Sequence, residues 1–90
     1  MRSEAECRDE LWQEGYTEIT VQTDPPGLMY PEHTHETTVA HVILEGEMTL
    51  VVDGRTNLLK AGDRFDAPAH AVHSARIGLE GCTYLIGERS

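Results

Sequence analysis

The sequence predicts a single all-β domain, a small barrel of about eight short strands with one α-helix before it. Ninety residues can bury one hydrophobic core, so we expect a single domain. From Tyr16 onward, short runs rich in β-branched and apolar residues alternate with turn residues. The predicted strands are Tyr16–Thr23, Leu28–Glu32, Thr38–Leu44, Glu47–Val52, Arg55–Lys60, Arg64–Ala67, Ala71–Ile77 and Cys82–Ile86. Turns are predicted at Asp24–Gly27, Glu45-Gly46, Asp53-Gly54, Ala61–Asp63 and Leu79–Gly81.

The segment before Tyr16 carries the signals of a helix. Ser3 can cap the N-terminus, and Glu6, three residues later, completes a capping box. Gly15 supplies the left-handed residue that ends many helices. We therefore divide the domain into a helix over residues 1–15, packed on the barrel, and the barrel itself over residues 16–90.

The packing face of this helix is predicted from residues one turn apart. Cys7 and Leu11 share a face, and we expect Trp12 to lie beside them. An alternative is that Trp12 lines a ligand site. Cys7 and Cys82 are the only cysteines, too few for a disulfide framework, so we expect reduced thiols, with a bridge between them as the alternative.

The strand Thr38–Leu44 is apolar on both faces. Alternation along a strand places Val39, His41 and Ile43 on one side and Ala40, Val42 and Leu44 on the other. We take the first set to face the barrel interior. The second set must then be covered by the helix, by another sheet or by a second subunit. Of these, we favour a homodimer.

The charge balance excludes several partners. Sixteen acidic residues against seven Lys and Arg give a formal charge of −9, which repels nucleic acid and anionic membrane surfaces. No apolar run approaches the roughly 20 residues that span a bilayer. The segment Met1–Glu14 lacks the apolar region of a secretion signal. We therefore expect a cytoplasmic protein whose partner is a small molecule.

The histidines are the most informative residues. All five lie in the middle of the chain, at positions 33, 35, 41, 70 and 73. His33 and His35 are two residues apart, so on a strand their side chains point to the same side and can converge on one ion. Neutral imidazole is the commonest protein ligand of transition metals. His70 follows Pro68 in a predicted turn, where it is either an exposed loop residue or part of a cavity mouth.

Two motifs resemble those of the cupin family. The first is Gly27–His35 with Gly46 eleven residues later, and the second is Gly62-Asp63 followed by Pro68 and His73. The segment Glu47–Ala61 between them is close in length to the shortest spacer of the family. The chain is similar to very small single-domain bacterial cupins. The resemblance implies a jelly-roll β-barrel.

The resemblance also implies a metal site. The histidine ligands of the family fall on His33, His35 and His73, but its glutamate ligand falls on Val39, which cannot bind a metal. His41 shares the strand parity of Val39 and is the candidate replacement, about 6.6 Å further along the strand. It either binds the ion or lies behind it. A cupin without metal is the remaining alternative.

Three neutral imidazoles would leave a divalent Fe, Mn, Ni, Cu or Zn ion with its full charge and an open coordination position. This predicts either a metal-dependent enzyme of the dioxygenase, isomerase or lyase type or a non-catalytic module that binds or senses a small ligand, with or without metal. His41 is the candidate general base. The candidates for the substrate pocket are Tyr30, Val39, Arg76 and Tyr84.

Overall fold

The computed structural model describes residues 2–90, and within that range it contains one helix and six strands. Their bounds are α1 Glu4–Gln13, β1 Thr17–Asp24, β2 Met29–His33, β3 Thr38–Val52, β4 Arg55–Lys60, β5 Arg64–Ala67 and β6 His73–Arg89. Every strand pair is antiparallel. The all-β class with an N-terminal helix, predicted from the sequence, is confirmed.

Helix α1 begins at the predicted capping box. The Ser3 hydroxyl accepts a hydrogen bond from the Glu6 amide at 3.2 Å, and the Glu6 carboxylate accepts one from the Ser3 amide at 3.1 Å. The chain leaves the helix through Gly15, whose φ is 92°. In residues 2–90 no helix is both long and apolar enough to cross a membrane.

All six strands belong to one hydrogen-bonded sheet that folds over on itself, and the two longest strands contribute to both of its layers, which we call the two sheets. The first half of β3 and the second half of β6 pair with each other and with β5 and β1. The second half of β3 and the first half of β6 pair with each other and with β4 and β2. The two sheets face each other over one core that includes Ile43, Met48, Leu50, Ile77 and Tyr84.

Two predicted turns are wrong, because the chain passes through them as bent strands. Glu45-Gly46 lies inside β3, and Leu79–Gly81 lies inside β6. The β3–β6 register shifts around Gly46, which pairs with Cys82, and the strands cross from one sheet to the other there. A Cβ at Gly46 would overlap the carbonyl oxygen of Gly81, so the crossing requires glycine. The eight predicted segments therefore form six strands.

The Asp53-Gly54 hairpin is confirmed. Val52 pairs with Arg55, and the two residues between them have positive φ values of 48° and 81°. Positive φ at both central residues is the conformation of a type I′ turn, which Asp-Gly favours.

Helix α1 covers the outer face of β3. Ala40 and Val42 are buried in a second cluster with Cys7, Leu11 and Leu85. The helix therefore covers the face of β3 that we expected a second subunit to cover. The homodimer stays a prediction.

Trp12 is exposed, whereas both cysteines are buried. Trp12 is 62% exposed, so the expectation that it packs beside Leu11 is wrong. Its position, one residue after Leu11, turns it about 100° away from the buried face. Cys7 and Cys82 are free thiols in separate core clusters, and burial raises the pKa of Cys82 to about 11.

A polar cluster fastens the end of α1 to the barrel. The Arg64 guanidinium forms ion pairs with Glu14 at 2.7 Å and with Asp66 at 2.8 Å. The Tyr16 hydroxyl donates to Asp66 at 2.7 Å, and Arg89 lies 4.7 Å from the centre of the Tyr16 ring. Arg64, which lies on β5, therefore links the end of the helix to that strand.

The crossing glycine can be tested against a matched glycine. Gly46 and Gly27 both have φ of 76°, but nothing lies within 4 Å of a Cβ at Gly27. We expect Gly27→Ala to lower the free energy of unfolding by about 1–2 kcal/mol, from backbone strain alone. Gly46→Ala should lower it by more than about 3 kcal/mol, because the strand must also shift. Urea denaturation of both variants measures the difference, and equal losses would contradict the close approach of β3 and β6.

Candidate metal centre

Strand pairing brings two of the histidines together. His33 is the last residue of β2, His73 is the first residue of β6, and the two are direct partners in the antiparallel ladder. The nitrogens of His33, His35 and His73 that could bind an ion all lie within 4.8 Å of one another. His73 is buried, and the other two are half-buried. The three imidazoles therefore form a cluster in which each can offer one ligand atom.

We expected both histidines of the H-x-H segment to lie on a strand, but only the first one does. Strand β2 ends at His33, and His35 lies in the loop that follows. The amide of His70 donates to the carbonyl oxygen of His35 at 2.8 Å, which ties this loop to the turn before β6. The His35 ring lies 5.0 Å from that of His33 and 5.1 Å from that of His73, so the loop brings it to the cluster.

The proton on the His33 ring can be assigned from its contacts. Nδ1 of His33 lies 2.7 Å from the carbonyl oxygen of Pro31, and because a carbonyl only accepts, Nδ1 carries the hydrogen. In the neutral ring, Nε2 then keeps its lone pair. That atom lies 2.9 Å from Nε2 of His73, whose own Nδ1 is buried with no hydrogen-bond partner.

This arrangement fits a metal ion. Two nitrogens bound at about 2.1 Å to one ion are about 3 Å apart when their bonds meet at a right angle. The 2.9 Å between the Nε2 atoms of His33 and His73 matches that separation. The bond from His33 to the Pro31 carbonyl also resembles the outer contacts that fix the tautomer of metal-binding histidines.

Burial keeps the deepest imidazole of the cluster neutral. The pKa of His73 lies below its usual value, first because the ring is buried and then because protonated His33 and His35 would repel its charge. Only the neutral ring can bind a metal, so the same environment that lowers this pKa keeps a lone pair available at neutral pH.

His41 is near the cluster but does not belong to it. It lies on β3, opposite Phe65 of β5 and Ile86 of β6, with its ring centre 6.4 Å from that of His73. The side chain is 6% exposed, and its Nδ1 has no hydrogen-bond partner. Burial, with a smaller contribution from His73, lowers the pKa of His41 to about 4. His41 is therefore a neutral ring at neutral pH.

All four of these histidines line one cavity of about 240 Å³ between the sheets. Tyr30 and Tyr84, two pocket candidates from the sequence, are in its wall. The other two candidates lie outside it. Arg76 is exposed, because it points away from the face on which Ala75 and Ile77 are packed, and Val39 borders a separate cavity. His70 is exposed in its turn and does not line the cavity.

The two tyrosines share a buried partner that the sequence did not reveal. Asp24, at the end of β1, is 8% exposed, and its Oδ2 accepts hydrogen bonds from the hydroxyls of Tyr30 and Tyr84, each at 2.7 Å. Burial, followed by the bond to Asp24, raises the pKa of both phenols, so both stay protonated. In the sequence, Asp24 is indistinguishable from an ordinary turn residue before Pro25.

A pair of carboxylates on the far side of His35 was also missed. Glu18 and Glu88 line a cavity of about 230 Å³ together with His35 and Val39. A hydrogen bond with Glu88 raises the pKa of Glu18, and the Thr37 hydroxyl donates to Glu88 at 3.0 Å. Glu88 is the ladder partner of Val39. Its position beside His35 could therefore have been predicted only from the register of β3 and β6.

The structure is a small antiparallel β-barrel, and its imidazoles converge on an internal cavity. These two features define the class of protein to which the chain belongs. The family model described as Cupin domain matches residues 20–83. This chain therefore belongs to the cupin domain family, and the resemblance drawn from the two motifs is confirmed. No curated protein matches the chain at a significant level.

Solved structures show the same fold. The cupin domain of Cnp3 from Schizosaccharomyces pombe is 20% identical with a TM-score of 0.75, and the match covers 80% of this chain and 54% of that one. The DMSP lyase DddQ from Ruegeria pomeroyi is 29% identical with a TM-score of 0.74, over 80% and 37%. A variant of salicylate 1,2-dioxygenase from Pseudoaminobacter salicylatoxidans is 24% identical with a TM-score of 0.73, over 78% and 21%. This chain thus spans about half of the first protein and less of the other two.

The neutral state of His41 predicts how the stability of the metal-free protein depends on pH. The folded pKa of about 4 lies below the unfolded value of 6.5, so the unfolded chain binds the proton more tightly. The free energy of unfolding should therefore fall as the pH drops from 7 towards 4, with on the order of 3 kcal/mol of that loss coming from His41.

The measurement is urea denaturation at pH 7 and pH 4.5 in the presence of a chelator. We expect His41→Asn to lose less stability over this interval than the native protein does. His70→Asn, at an exposed histidine, is the control and should behave like the native protein. An unchanged pH dependence in His41→Asn would show that His41 is not a buried neutral ring.

Proposed function

We propose that this cupin holds a divalent transition metal ion through His33, His35 and His73 and acts on a small oxygen-bearing molecule as a metal-dependent enzyme. The observation that carries the proposal is the set of three imidazole nitrogens within 4.8 Å of one another in the wall of a cavity between the sheets. The bond from Nδ1 of His33 to the Pro31 carbonyl supports it, because it leaves the lone pair of Nε2 available.

The ligand set limits the chemistry. Three neutral imidazoles accept Fe, Mn, Ni, Cu or Zn, and a bound ion of this kind polarises an oxygen of the substrate as a Lewis acid. With Val39 in place of a carboxylate, no protein charge at that position offsets the charge of the ion. Such a centre favours a substrate whose oxygen atoms are anionic.

The chain's own residues have separable parts in this proposal. Met48 and Leu50 form the apolar wall and keep water from the substrate. Tyr30 and Tyr84 orient its body. His41 is the candidate base, although its pKa of about 4 makes it a weak base at neutral pH.

The reaction class we propose is that of a dioxygenase, isomerase or lyase. The DMSP lyase is 29% identical to this chain, which supports lyase chemistry on this fold. The match covers 37% of that protein, so its substrate is not transferred here.

A second candidate is a non-catalytic module that binds or senses a small ligand. The composition of the cavity wall favours it, because no Asp, Glu, Lys or Arg is among the residues that line it. Saturable binding without turnover in the presence of metal and oxygen would support this candidate over the enzyme. The homodimer and the cytoplasmic location inferred from the sequence stay predictions.

The metal site is tested by elemental analysis of the purified, untagged protein. We expect close to one transition-metal ion per chain in the native protein and a loss of most of it in His33→Ala and His73→Ala, because each removes a ligand. His70→Ala removes an exposed histidine of the neighbouring turn and should retain the metal.

Thermal melting separates a lost ligand from a lost fold. In the native protein, an added ion that binds the folded state should raise the Tm, and the two ligand variants should lose this response while still melting cooperatively. A native protein that contains no metal and whose Tm is unchanged by added Fe, Mn, Ni, Cu and Zn would contradict the proposal.

A further inference from the structure

The cavity next to the histidine cluster lacks fixed charge. Besides the four histidines, its wall consists of Gln22, Tyr30, Met48, Leu50, Ala75, Tyr84 and Ile86. None of these is a cation that could pair with an acidic group of a ligand. A metal held by the histidines would therefore be the single positive centre available to it.

A carboxylate lies behind this wall. Asp24 is buried behind Tyr30 and Tyr84, whose hydroxyls both donate to the same oxygen, Oδ2. Among the described residues, Asp24 makes no salt bridge. Both phenols are hydrogen-bond donors without charge, so neither is a counterion for the carboxylate. A buried charge of this kind is only partly screened and acts over distances of roughly 10 Å.

From this arrangement we infer the class of ligand, an inference that rests on the proposed metal centre. The ligand has one chelating, anionic head for the metal and a compact body that carries no further negative charge, and Asp24 with Tyr30 and Tyr84 excludes a second acidic group. Dicarboxylates and phosphorylated acids are thereby rejected, whereas monoacids with an uncharged body are accepted. Asp24 is thus a specificity-determining residue that acts through the two tyrosines.

The volume of the cavity limits the size of the ligand that it can hold. A cavity of about 240 Å³ is smaller than the 300–1,000 Å³ usual for sites that hold drug-sized molecules. At about 30 Å³ for each water molecule, it has room for about eight waters. A ligand of about ten non-hydrogen atoms fills such a space.

The test compares two ligands that differ only in charge. 2-Hydroxyglutarate and its C5 monoamide have the same 2-hydroxy acid head and nearly the same shape, but only the first has a second carboxylate. Calorimetric titration of Ni²⁺-loaded protein at pH 7.5 measures both dissociation constants. We expect the monoamide to bind at least tenfold more tightly than the diacid.

Variants at Asp24 test the origin of the discrimination. Asp24→Asn keeps the shape and the acceptor oxygen but removes the charge, so we expect the preference to fall below threefold. Asp9→Asn makes the same change on the exposed side of α1 and should leave the preference unchanged. If Asp24→Asn does not fold, Tyr30→Phe, which removes one of the two hydrogen bonds to Asp24, replaces it, and we expect it to alter the preference while Asp9→Asn does not.

The outcomes separate this inference from the proposed function. Nickel content, measured before each titration, reports on the metal centre. Protein that takes up no metal would overturn both. Metal-loaded protein that binds the diacid as tightly as the monoamide, or that binds neither, would overturn the inference and leave the metal centre standing.

Discussion

The antiparallel pairing of β3 with β6 is the contact on which the rest of the molecule depends. The ladder runs from Thr38 opposite Arg89 to Val52 opposite His73, and each of the other four strands pairs with one of these two. Because both strands bend where Gly46 meets Gly81, one ladder forms the centre of both sheets. The same bend encloses the cavity and brings His41 on β3 and His73 on β6 into its wall.

The interior of the barrel combines an apolar core with two polar groups that serve different needs. Burial lowers the pKa of His41 and of His73, which keeps these two rings neutral and preserves the lone pair that a metal requires of His73. Asp24 is stabilised by two phenols, so its buried oxygen does not lack partners. Without the two phenol hydroxyls, the buried carboxyl group of Asp24 would be costly in the apolar core.

Local signals in the sequence predicted local structure well. The capping box at Ser3 and the Asp53-Gly54 hairpin are short-range features, and the motif spacing indicated the cupin fold. Glycines that bend a strand were read as turns, because Gly46 needs its conformation for a contact with Gly81, which is distant in the sequence. Asp24 was overlooked for the same reason: its partners lie 6 and 60 residues away. The exposure of Trp12, in contrast, follows from helix geometry alone, because a residue next to Leu11 is turned about 100° away from the buried face.

The position of β6 in the chain has a consequence for biosynthesis. This strand follows the other five and supplies the partner of β1, of β2 and of both halves of β3. Contacts between residues as distant as Thr38 and Arg89 make folding slow compared with a helical domain of this size. On the ribosome, β1, β2 and β3 lack their pairing with β6 until β6 has emerged. Until then, His33 also lacks its ladder partner His73. The three imidazoles can therefore come together only after His73, the first residue of β6, has been added to the chain.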